Sequence, residues 1–327
     1  MRLPNQKIII FIIILFIYFF LFLQGYCSTK KNELVIIQDE AMYPNLHNNW
    51  LVWGESQNSL QRIHLYDLKN NNEKILNELG YSAIHPSVFE DRLIWLNAQE
   101  NYSLYITNLN SFVSKKIVSG MVLQPTINGN IVVWTDYRHG KPQIYYYNLE
   151  DRIERRLTYN NFSVRQPTTN GKFIAWIEYS KNNYRVCLYD ITSEKLLYLS
   201  NNEIFVNSPW LSENYLVWIE YFEQKYRVFI YDIKNKYKKE VVSSNNLISY
   251  LRGSNKYLVW EEWTSKGPKV MVMEIQSENI LPIKSKNIRY SWQPAIDGSK
   301  FLMVAKFQDG HNGIYFCNWS SPDNPDT

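Results

Sequence analysis

The sequence predicts an all-β fold, a seven-bladed β-propeller of four-stranded antiparallel blades, and three observations carry the prediction. Trp53, Trp95, Trp134, Trp176, Trp218 and Trp260 recur at intervals of 42, 39, 42, 42 and 42 residues. Nine residues before them stand Pro44, Pro86, Pro125, Pro167 and Pro209, with Leu251 in the sixth copy, and a seventh copy opens at Pro294 with Val304 in the tryptophan's place, one residue late. No stretch of about twelve residues shows a helical period. A repeat of this length marks units that must stack to bury their faces, and a closed ring leaves only short, protected edges. Six or eight blades are the alternatives to seven.

Within a copy the elements follow in order. A short strand follows the proline, as at 125–127, and turns at Asn128 and Gly129; a second, 131–134, is rich in β-formers. Third strands are expected at 63–67, 104–108, 144–148, 186–190, 228–232, 270–274 and 314–318. Fourth strands are expected at 75–76, 117–118, 157–158, 197–199, 241–242 and 281–283. Glu55 and Arg62, Glu178 and Arg185, Glu220 and Arg227, Glu262 and Lys269, and Asp136 and Gln143 are all seven apart, which makes them facing residues of one repeated hairpin. The seventh copy ends after its third strand, so residues 34–37 are expected to supply its fourth and close the ring. The propeller then occupies residues 28–319 as a single domain, before a polar tail at 320–327.

Arg2 and Lys7 precede an apolar run at 8–23 that gives way to small and polar residues up to Ser28, the pattern of a secretory signal over residues 1–27. A secreted or extracytoplasmic protein is expected; retention of 8–23 as a membrane anchor and lipidation at Cys27 are the alternatives. Cys187 and Cys317 fall in different blades and read as small buried hydrophobes, too far apart to bridge each other. With 45% hydrophobic and 16% aromatic residues, the composition excludes a disordered tail, a fibre or a disulfide mini-scaffold. A net charge of +4 without a basic block excludes a nucleic-acid partner.

The run Gln-Pro-Thr-Ile-Asn-Gly-Asn-Ile-Val-Val-Trp-Thr-Asp-Tyr-Arg, followed by Ile-Tyr-Tyr-Tyr-Asn-Leu and Arg-Leu-Thr between 124 and 158, resembles the TolB-like propeller repeat. The copies around Trp176 and Trp218 are similar, and the resemblance covers 34–318. It implies architecture more than activity, because such repeats occur in envelope and surface proteins and in the non-catalytic propellers of some peptidases. TolB carries an α/β domain ahead of its propeller, which is not expected in this chain.

Seven repeats consume the chain, and neither a nucleophile elbow, a phosphate-cradling glycine loop nor a His-Glu-x-x-His helix occurs. Glu55, Asp136, Glu178, Glu220 and Glu262 recur at one position and would form a ring of carboxylates, neutralised by the facing Arg or Lys of four of their hairpins. Asp67, Asp190 and Asp232 read as acceptors for the turns that follow them. Of the five histidines, His139 and His311 fall at hairpin tips, His64 in a third strand and His47 after the first proline. His85 alone is expected near the channel mouth, so no metal or other cofactor is expected.

Candidate binding residues come from the entries to the first strands, which gather around the ring axis: Tyr43, His85, Gln124, Arg165, Gln166, Trp210, Tyr250, Arg252, Tyr290, Trp292 and Gln293. Aromatics and arginine suit interface anchors, whereas the glutamines also suit bonding between neighbouring blades. The expected function is a monomeric, non-enzymatic module binding protein or glycan at the cell envelope or surface. The alternative is a propeller enzyme, hydrolase or lyase, acting on extracellular polysaccharide, which two unpaired carboxylates in the channel mouth would favour.

Overall fold

A computed structural model describes residues 33–319 apart from 58–59, 77–81, 160, 181–182 and 201–203. The segment read as a signal or anchor and the polar tail lie outside the described residues. Seven four-stranded antiparallel sheets form the ring, each ordered from first to fourth strand. The first strands, Ala41–His47, Ala83–Phe89, Val122–Asn128, Ser163–Thr169, Phe205–Leu211, Leu247–Gly253 and Ile288–Asp297, face a central channel.

Blade 7 is closed by Glu33–Ile37, whose Val35 and Ile36 pair with Tyr315 and Ile314. That closure explains one glycine: a side-chain carbon on Gly313 would collide with the Ile36 carbonyl. The hairpin register is also as expected, with Glu55 facing Arg62, Glu178 facing Arg185, Glu220 facing Arg227 and Glu262 facing Lys269.

The repeated tryptophans fill the spaces between blades. Trp53, Trp134, Trp218 and Trp260 are fully buried, and Trp176 and Trp95 nearly so. Trp218 of blade 5, for example, packs on Ala175, Ile177, Val186 and Leu188 of blade 4. Burying such a ring removes on the order of 200 Å² from water, roughly 5 kcal/mol in gross transfer terms.

Three sequence expectations are corrected. The fourth strands begin earlier than their apolar residues, at Asn72–Ile75, Val113–Val118, Ile153–Arg156, Lys195–Tyr198 and Tyr237–Ser244, because an outer-edge strand needs few apolar side chains. Four of the recurring acids, Glu55, Asp136, Glu220 and Glu262, find partners other than the residues that face them across the hairpin. Asp136 and Glu220 accept the indole N–H of Trp134 and Trp218 at 2.9 and 2.8 Å, and pair with Arg138 and Lys238 at 2.6 and 3.2 Å. Glu55 lies 3.0 Å from His64, and Glu262 accepts from Ser244 and Asn246. Finally, Cys187 is a buried free thiol, but Cys317 is disulfide-bonded rather than a mere apolar filler. The turn acids behave as expected: Asp67, Asp190 and Asp232 accept backbone N–H groups of Lys69, Thr192 and Asn235 at 2.8–2.9 Å.

Candidate active site

Every first strand breaks its ladder at one equivalent place, skipping two residues between Met42 and Asn45 and at the six counterparts, and the blade 7 strand shifts a second time between Ile288 and Tyr290. At each break one non-glycine residue takes the left-handed conformation: Tyr43, His85, Gln124, Gln166, Ser208, Tyr250 and Gln293, all with φ between 49° and 54°. Such a conformation is strained for a residue with a side chain, and a bulge of this kind re-aims that side chain. Here it aims seven side chains at the axis, where they line a cavity of about 490 Å³ at the channel mouth.

Most of the ring is held by bonds from blade to blade. Gln124 Oε1 accepts the Gln166 N–H at 2.8 Å, and Gln166 Oε1 accepts the Ser208 N–H at 3.1 Å. Gln293 donates from Nε2 to the Tyr250 hydroxyl at 3.3 Å and accepts the Tyr43 N–H at 2.9 Å. The Tyr43 and His85 rings lie 4.5 Å apart between centroids. Behind the ring, the buried Glu261 accepts the Gln293 N–H at 3.0 Å and the Ser249 hydroxyl at 3.2 Å.

Arg252 and Trp210 sit deeper, where the mouth meets a second cavity opening on the opposite face. The Trp210 indole donates to the Gly253 carbonyl at 2.9 Å, and the Arg252 guanidinium lies 4.6 Å from the Trp210 ring centroid. Arg252 donates to the Leu251 carbonyl at 2.9 Å, and no carboxylate faces it among the described residues. Burial pushes its pKa down to about 10, a sign of a cation with too little compensation. Burial also lowers the pKa of His85, leaving a neutral imidazole at pH 7. Tyr250 is raised, by burial first and then by Tyr43 and Glu261, so its phenol keeps its proton.

Eight of the eleven residues singled out in the sequence therefore line one cavity: Tyr43, His85, Gln124, Gln166, Trp210, Tyr250, Arg252 and Gln293. Three do not. Arg165 turns outward between the rings of Tyr184 and Phe205, Tyr290 covers Gly267, and Trp292 packs in the core shared by blades 7 and 1. Ser208 was missed, although its place directly before Pro209 marks it. Glu261 was missed because its neighbour Glu262 carries the repeat.

The ring and channel define a seven-bladed propeller of the TolB-like type. TolB from Acinetobacter baumannii superposes with a TM-score of 0.50 at 14% identity, over 83% of this chain and 80% of that one. A puromycin-hydrolyzing peptidase of Mycobacterium tuberculosis gives 0.70 at 9% identity over 86% of this chain, which spans only 51% of the peptidase. An oligogalacturonate lyase in complex with manganese gives 0.66 at 12% identity over 88% of this chain and 91% of the lyase. No protein-family model matches the chain. No curated protein matches it either.

These neighbours overturn the expectation of a non-enzymatic binding module. That expectation rested on missing catalytic motifs and on the lack of space for a separate hydrolase domain, yet the lyase matches 88% of this chain over 91% of its own length. The manganese of that neighbour does not fit the residues present here. Among the described residues no three His, Cys, Asp or Glu side chains converge, and the ring offers one imidazole among amides, hydroxyls and phenols.

Proposed function

We propose that the protein is an extracytoplasmic propeller enzyme that cleaves a uronate-containing polysaccharide by β-elimination at this channel mouth. The observation that carries the reading is Arg252, a guanidinium without a carboxylate partner among the described residues, which lines one cavity with a neutral imidazole and a protonated phenol. A sugar carboxylate would supply the missing charge. Pairing with Arg252 also acidifies the proton on the carbon next to that carboxylate.

His85 then takes this proton, a double bond forms to the adjoining carbon, and the bond from that carbon to the glycosidic oxygen breaks. The leaving oxygen takes a proton from Tyr250, so no oxidant or second substrate is needed. Hydrolysis by two carboxylates has less support, since no Asp or Glu lines the mouth among the described residues. Export is supported by the charged start and the apolar run at 8–23, the pattern of a secretory signal.

The test is incubation with polygalacturonate and other uronate glycans, following the ultraviolet absorbance of the new double bond. Wild-type protein should generate it and Arg252→Met should not. A folded wild-type protein that yields none from any uronate glycan would sink the reading.

A further inference from the structure

Blades 4 and 5 carry an aromatic row on the same face as the channel mouth. Tyr179 and Tyr184, which face each other across one hairpin, have ring centroids 4.6 Å apart, and Tyr184 lies 5.2 Å from Phe205 of the next blade. Phe205 pairs with Tyr221, whose ring is 4.6 Å from that of Tyr226. Phe205 and Tyr221 are 36% and 39% exposed, a large apolar area for residues that could have been polar. In blade 1 the hairpin position equivalent to these tyrosine pairs holds Ser56 facing Gln61.

Arg165 sits inside the row, its guanidinium 5.8 and 5.7 Å from the Tyr184 and Phe205 ring centroids. It donates only a long bond, 3.5 Å, to the Val206 carbonyl, and its Nε is buried without a partner. No carboxylate pairs with it among the described residues. The row is continuous with the mouth: Phe205 precedes the ring residue Ser208 by three positions along the same extended strand, about 10 Å at ~3.3 Å per residue.

We propose that this row is a second sugar-binding site, which holds residues of the anionic glycan beyond those in the channel. The proposal rests on the reading of the mouth as a uronate site. Sugar rings present apolar faces of C–H groups that stack on exposed aromatics, and the unpaired Arg165 supplies a counter-charge for a uronate carboxylate lying between them. Both features are needed together. An aromatic row alone would suit many partners, whereas a cation set among the rings selects an acidic, ring-shaped repeat.

The experiment compares the double variant Phe205→Ala, Tyr221→Ala with wild type on a galacturonate disaccharide and on long-chain polygalacturonate, reading KM and kcat for each and direct binding of the long chain by calorimetry. Both side chains are exposed, and a thermal melt checks that the variant folds. The expected result is about a tenfold rise in KM and Kd for the long chain, with the disaccharide's constants and the kcat unchanged. Arg165→Gln should weaken long-chain binding in the same direction and reduce its salt dependence. Unchanged long-chain constants in the folded double variant, with turnover intact, overturn the second site and leave the channel reading standing. Long-chain binding that depends on Phe205 and Tyr221, with no turnover of either substrate, supports the second site and overturns the elimination reading instead.

Discussion

Two rings of repeated residues run round this molecule, one in the second strands and one in the first, and they differ in what is held constant. In the second strands the residue itself repeats: six blades bury a tryptophan, and in three of them the indole N–H donates to the acid two residues on. In the first strands the backbone repeats, with seven φ values between 49° and 54°, while the side chains vary through Tyr, His, Gln, Gln, Ser, Tyr and Gln. A constant side chain in a dry interface is what packing demands. A constant, strained backbone carrying varied side chains into a wet channel is what a site demands, because one geometry then presents many chemistries.

The sharpest way to break the contrast is to exchange the consequences. Trp218→Ala should cost about 3–5 kcal/mol, since it empties an interblade space and removes the indole N–H that donates to the buried Glu220. Denaturant titration reads this, and a loss below about 1 kcal/mol would mean that the blades repack around the gap. Arg252→Met should do the reverse. Turnover should fall on the order of a hundredfold to a thousandfold, with the melting temperature unchanged or raised, because the variant replaces a desolvated cation with an apolar chain of similar length. A large drop in stability with activity retained would make Arg252 a packing residue like the tryptophans.

That contrast also sets how much could be read from the sequence. Trp and Pro at a period near 42 disclose blade number, hairpin register and even closure by residues 34–37, because packing writes the same residue at the same place. The fourth strands were blurred for the opposite reason: Ser114, Lys115 and Lys116 lie at an exposed edge where no pattern is enforced. The site was half legible. The residue before each proline marks the ring, but nothing in the sequence says that this residue bulges inward while Arg165 and Trp292, one position earlier, turn away. The partners of the repeated acids were misread because register fixes which backbone atoms face each other, not where a long arginine side chain ends.

His85 sharpens the comparison through pH. The ordinary imidazole value is 6.5, and burial lowers it in the folded protein. The folded state therefore keeps His85 neutral as pH falls past 6.5, whereas the unfolded chain already binds the proton there. Stability linked to this group is present above pH 6.5 and is lost as pH falls through the folded value. With His85 as the base, the acid limb of kcat/KM should lie below pH 6.5, and His85→Gln should remove that limb together with most of the activity. A limb centred above 6.5 would assign the base elsewhere.

The smallest expected effect is the most discriminating between the two rings. Gln166→Ala deletes the acceptor of the Ser208 N–H and frees the Gln124 side chain from nothing, since Gln124 bonds the Gln166 backbone, which the substitution keeps. A buried donor left without its acceptor would cost about 1–3 kcal/mol. Ser208, however, borders the open cavity, where water can take over the bond, so the loss should be at most about 0.5–1 kcal/mol by denaturant titration. The glutamines would then be adjustable spacers that keep the mouth open between Tyr250, Arg252 and His85, the members proposed to react. A cost as large as that of Trp218→Ala would instead show that the first-strand ring is held by packing after all, and that its varied side chains are seven local solutions to one structural demand.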